Sequence, residues 1–78
     1  MPRFYFDFCD AESVQKDPEG AEMNSIQAAR DAATRTLTEV VRGRTFESDA
    51  TEFAVVVKDI TNAPVLKATL SLLVSYPK

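Results

Sequence analysis

The run Arg3-Phe4-Tyr5-Phe6-Asp7-Phe8 constrains the fold more than any other stretch of this chain. It alternates strictly, with Phe4, Phe6 and Phe8 on one face and Arg3, Tyr5 and Asp7 on the other. Three phenylalanines on one face of so short a run need a core. The segment therefore reads as a half-buried strand, and the remaining sequence must supply both a cover and partner strands.

The cover is a helix. From Ser25 onward the apolar residues follow a helical period, and Ile26, Ala29, Ala33, Leu37, Val40 and Val41 share one stripe. Asn24 is the expected N-cap, with Gln27 completing a capping box and Met23 and Ala28 placed as a hydrophobic staple. The alanines near the helix start favour helix and permit close approach to a sheet. Arg42 suits the negative end of the dipole, and Gly43 is the expected C′ residue. The spacing predicts a helix over residues 25–42.

The partner strands come mostly after it. Residues 52–59 alternate Phe53, Val55 and Val57 against Ala54, Val56 and Lys58. Residues 65–76 put Leu66, Ala68, Leu70, Leu72, Val74 and Tyr76 on one face, expected to be buried, and Lys67, Thr69, Ser71 and Ser75 on the other. The short link Ile60-Thr61-Asn62-Ala63-Pro64, with Asn62 able to turn left-handed, makes these two an antiparallel hairpin. Before the helix, residues 13–16 are a short second strand pairing back on the first. Asp17-Pro18-Glu19-Gly20 is a turn, with Pro18 presetting φ and Gly20 at its end. Residues 45–51 form a connection. The expected fold class is α+β: one domain over residues 1–78, an antiparallel sheet of three to four strands in the order ββαββ, and one long helix packed on one face.

Several function classes lose ground on composition. The chain has 78 residues, 45% of them hydrophobic, with a net charge of −3. A mildly acidic domain lacks the clustered cations of a nucleic-acid binder, and Arg35 and Arg42 share the outer helix face with Asp31 and Glu39. There is no histidine, which removes serine–histidine and cysteine–histidine catalysis and most zinc chemistry. Cys9 is the one cysteine and reads as a small hydrophobe in a reducing compartment. Two glycines cannot form a phosphate-cradling loop. Asp7, Asp10, Glu12, Asp17, Glu19 and Glu22 cluster, but their spacing is not that of an EF-hand, so a solvated loop guarding a sheet edge is the simpler reading. No leader or membrane-spanning stretch is visible, so a soluble cytoplasmic protein is expected. No catalytic residue, cofactor site, metal site, nucleic-acid contact or membrane contact is expected. The sheet face away from the helix carries Tyr5, Val56 and Leu73 among polar residues, and these three are the expected self-association or partner surface.

The opening Met1-Pro2-Arg3-Phe4-Tyr5-Phe6-Asp7, the Asp17-Pro18-Glu19-Gly20 turn, Ala28-Ala29-Arg30 early in the helix and the late Asp59 and Pro64-Val65 resemble a family of short bacterial proteins. These carry a domain of unknown function (the DUF6894 type) and are met in rhizobia and related alphaproteobacteria. The resemblance spans nearly the whole chain and implies a small stand-alone cytoplasmic protein, with no site residue to transfer. Its members often carry a glycine in the last hairpin turn, where this chain has Ile60-Thr61-Asn62-Ala63. At the level of fold order alone, the chain is also similar to the partial RNase-H-like domain of HicB-type antitoxins, without their DNA-binding segment. The function expected from all this is a small non-enzymatic interaction module, self-associating as a homodimer through the open sheet face. The alternatives are an antitoxin-like regulatory protein binding a partner protein, or a divalent-metal binder using the acidic loop.

Overall fold

The alternation at the start becomes strand β1, Arg3–Cys9, and the hairpin predicted at the end becomes β4, Ala50–Lys58, and β5, Pro64–Leu73. Between them lie β2, Val14–Gln15, β3, Ala21–Glu22, and the helix α1, Ile26–Arg42. The computed structural model describes residues 2–44, 46 and 48–77. Of the connection expected over residues 45–51, Thr45 and Glu47 lie outside the described residues.

The sheet runs β2-β1-β4-β5, and β3 pairs with the same edge of β1 as β2 does. All pairings are antiparallel. The α+β class and the open antiparallel sheet are as the alternation requires, with β3 as a fifth piece that the sequence did not signal. Two residues, Ala21 and Glu22, carry no alternation to read. They pair because the Met23 amide donates to the Pro2 carbonyl at 2.9 Å and holds the incoming chain extended beside β1.

That tether also moves the helix start. The cap is Ser25, whose hydroxyl accepts from the Ala28 amide at 3.1 Å. Asn24, the expected cap, stands at a bend between Met23 and the Ser25 cap, and the capping box with Gln27 does not form. Gly43, expected to take a left-handed turn, has φ −95°, and the helix closes with the Arg44 amide donating to the Val41 carbonyl at 3.1 Å.

The core is one layer between the helix and the sheet. Ala29 and Ala33 are fully buried, and so are Val55 and Val57 on the central strand. Small residues on the helix let it sit close over β4 and β5. Burying each of those valines contributes about 1.5–3 kcal/mol. Phe4, Phe8, Leu37 and Phe53 complete the core, with Phe6 packed against it at partial exposure. Phe8 stacks with Phe53 at 6.2 Å between ring centroids, and the Arg44 guanidinium lies 5.5 Å and 5.3 Å from these two ring centres. A β-bulge follows the Val57–Leu66 pair, so Val65 and Leu66 both pack on the core.

The far half of β5 departs from expectation. Its face was expected to be covered as far as Tyr76. Leu70 is 37% exposed, Val74 40% and Tyr76 75%. The cause is length. A 17-residue helix rises about 25 Å, while the row from Leu66 to Tyr76 spans about 33 Å. Ile26, expected in the helix stripe, is also exposed, at the helix's other end. The molecule measures 53 × 22 × 21 Å, with a radius of gyration of 14.1 Å. A compact chain of this length would have about 11.5 Å.

The Asp17–Gly20 turn is built on a side chain. The Asp17 carboxylate accepts from the amides of Glu19 at 3.3 Å, Gly20 at 3.1 Å and Phe6 at 3.1 Å. Gly20 has φ +70°, and a Cβ there would stand 2.8 Å from the Phe4 carbonyl oxygen and 2.9 Å from the Tyr5 ring. Gly20→Ala is expected to destabilise by about 2–4 kcal/mol, from left-handed strain plus overlap. Circular-dichroism melts should show the midpoint falling by on the order of 10 °C. An unchanged midpoint would mean that the loop yields at no cost.

Candidate interaction surface

The residues expected to form an interface lie on one sheet face but not in one patch. Tyr5 pairs in register with Lys58, and Asp7 with Val56, so Tyr5 and Val56 are diagonal neighbours. Both are half-buried, and the Tyr5 ring lies against the Gly20 turn. Leu73 is 79% exposed and pairs with Ala50, six positions along β4 from Val56, or about 20 Å.

Between Tyr5 and Cys9 stands a group the sequence placed in solvent. Asp7 is 4% exposed. Lys58 Nζ lies 3.0 Å and Lys16 Nζ 3.6 Å from its Oδ2, and the Asp17 amide donates to Oδ1 at 3.1 Å. Burial pushes the Asp7 carboxyl up. The hydrogen bonds from Lys58 and the Asp17 amide, with the two lysine charges, outweigh that and hold it below 3.8. The hydrogen bond to Asp7 in turn raises Lys58 above 10.5. The carboxylates of Asp10 and Asp17 are also bonded to the backbone. Asp10 Oδ1 accepts from the amides of Glu12 and Ser13, both at 2.8 Å. Among the described residues no three acidic or cysteine side chains converge as metal ligands.

A shallow groove of about 420 Å³ lies where the β1–β2 turn meets the start of β4. Arg44, Phe46 and Phe53 form its wall, and Asp10, Glu12 and Ser48 its polar rim. Arg44 is occupied by the Phe8 and Phe53 rings and by Asp10 Oδ2 at 3.7 Å. The rim hydroxyl has no histidine to activate it, because the chain has none.

The two edges of the sheet differ sharply. On the β1 side the edge is broken into two two-residue pieces, β2 and β3, and the gap is filled by Asp17 bonding the Phe6 amide. On the other side β5 presents its outer edge over ten residues. Its first half has Pro64, the bulge and Lys67, the devices that blunt an edge. Its second half, residues 68–73, has no proline, charge or register shift. Beside that half lie Leu70 and Val74, both exposed, with Leu72 half-buried between them. Residues 50–53 extend beyond the pairing of β4 with β1, so this end is a two-stranded arm. Sequence reasoning assigned this row to the core. Comparing helix length with strand length would have exposed it.

The fold defines a class: a small α+β protein with one helix on one face of an open antiparallel sheet. Within that class the chain belongs to the family with the domain of unknown function DUF6894, whose profile matches residues 3–71. Neither the curated proteins nor the solved structures yield a match. No helix among the described residues is long and apolar enough to cross a membrane.

The carboxylates set the acid response. A carboxyl held below its unfolded value stabilises the fold above about pH 3.8 and loses that contribution as pH falls through the lower folded value. Asp10, held down by the Glu12 and Ser13 amides, and Asp59, by the Thr61 hydroxyl and amide, add in the same direction. Asp7→Asn is therefore expected to lower stability at pH 7 and to flatten its decline below pH 4. Urea titrations across that range check this, and parallel acid limbs in the two proteins would refute it.

Proposed function

We propose that this chain is a non-enzymatic protein-interaction module whose contact surface is the outer edge of β5 with the row Leu70, Leu72 and Val74. The observation that carries this reading is the unguarded half of that edge lying beside the exposed Leu70 and Val74 side chains. An edge of this kind offers main-chain hydrogen bonds for affinity, and the alternate side chains give selectivity. The surface is thus shifted from Tyr5 and Val56, whose exposed area is small, and keeps only Leu73 of the three residues first expected. The free, half-buried Cys9 accords with a cytoplasmic setting.

The metal-binding alternative finds no comparable support, because Asp7, Asp10 and Asp17 spend their oxygens on lysines and backbone amides. A regulatory protein that sequesters a partner would use the same β5 edge, and only the identity of the occupant differs.

A photo-crosslinking residue at position 71, introduced in the producing cell, tests the reading. Adducts are expected from position 71 and not from position 36, on the exposed face of the helix. Absence of any adduct at 71 would remove the basis for an interaction surface there.

A further inference from the structure

We propose that the occupant of the β5 edge is a second copy of this chain, paired antiparallel across a two-fold axis near Ser71. The inference rests on the interaction reading above and names its partner.

The backbone fixes which groups are free. The Val74 amide donates to the Asp49 carbonyl, and the register continues through Leu72–Thr51, Leu70–Phe53 and Ala68–Val55. By antiparallel alternation these even-numbered residues spend their amides and carbonyls on β4. The odd-numbered residues Lys67, Thr69, Ser71 and Leu73 turn theirs outward. A strand edge of this kind meets its own copy with donors opposite acceptors, since a two-fold axis pairs residue i with j and j with i. Centred on Ser71, the pairing sets Thr69 against Leu73 of the second copy and Lys67 against Ser75. Lys67 is the only charge on β5, and it does not meet itself. On the helix side, Leu70 falls opposite Leu72 of the second copy, and Ala68 opposite Val74. The exposed Leu70 and Val74 of each copy then gain apolar neighbours from the other.

The surface area fits this occupant. A folded monomer of 8.6 kDa is expected to expose about 4,700 Å². This chain exposes 5623 Å², an excess of about 900 Å². A stable interface of standard size buries about 800 Å² on each partner. Leu70, Leu73 and Val74, at 37%, 79% and 40% exposure, lie in the arm that the helix fails to reach, where the proposed pairing would bury surface.

The test uses the full chain. Light scattering on the purified protein at tens of micromolar should give twice 8.6 kDa. Ser71→Pro removes an amide that only the second copy would use, so the mass should halve while the circular-dichroism spectrum is kept. Ser71→Cys in a Cys9→Ala background should oxidise to a covalent dimer, while Thr36→Cys in the same background should not. A native mass of 8.6 kDa, a Ser71→Pro protein that stays dimeric, or equal crosslinking at 71 and 36 would each overturn the proposal. If the native chain is monomeric but the photo-adduct at 71 carries a different protein, the interaction reading stands and the second copy is wrong. If no adduct forms, both fall.

Discussion

One helix of 17 residues must roof a sheet whose two longest strands have nine and ten. The rise per residue in a strand is about twice that in a helix, so the helix covers only part of them. It covers the part where the core is densest, with Ala29 and Ala33 set against Val55 and Val57. The rest follows from that mismatch. The arm of β4 and β5 runs on without a roof, and Leu70, Leu73 and Val74 there are exposed.

The ion group around Asp7 works on the other face. Its carboxylate ties β1 to β4 through Lys58 and to the 16–17 segment through Lys16 and the Asp17 amide. A slip of one residue between β1 and β4 would turn Asp7 into the phenylalanine layer, where an unpaired carboxylate is costly. The pair therefore selects a register more than it adds net stability, because desolvation offsets much of the attraction.

Much of the architecture was legible in the sequence. The period-two run in β1, the helical stripe and the closing hairpin are strong patterns, and each survives in the structure. Asn62 takes a positive φ, 69°, as its short polar side chain allows. The misses have physical causes. Asn24 and Ser25 are both good caps, and the local sequence does not report the long-range Met23–Pro2 hydrogen bond that places the chain just ahead of them. Asp7 alternates as a wet residue, and nothing local reports that Lys16 and Lys58 will close over it. The leucine row of β5 has the spacing of a core strand. Its exposure is a property of the helix's length, not of the row itself.

The side chain of Asp17 has a larger consequence than closing a turn. By filling the gap between β2 and β3 it leaves the β1 side of the sheet with little free backbone for an incoming strand. Fibrous growth needs every subunit to have two sticky ends. If β5 pairs as proposed, the opposite margin offers no long free strand from which the sheet could be extended, so the pairing would close at two copies, with a loop carboxylate as the chain terminator.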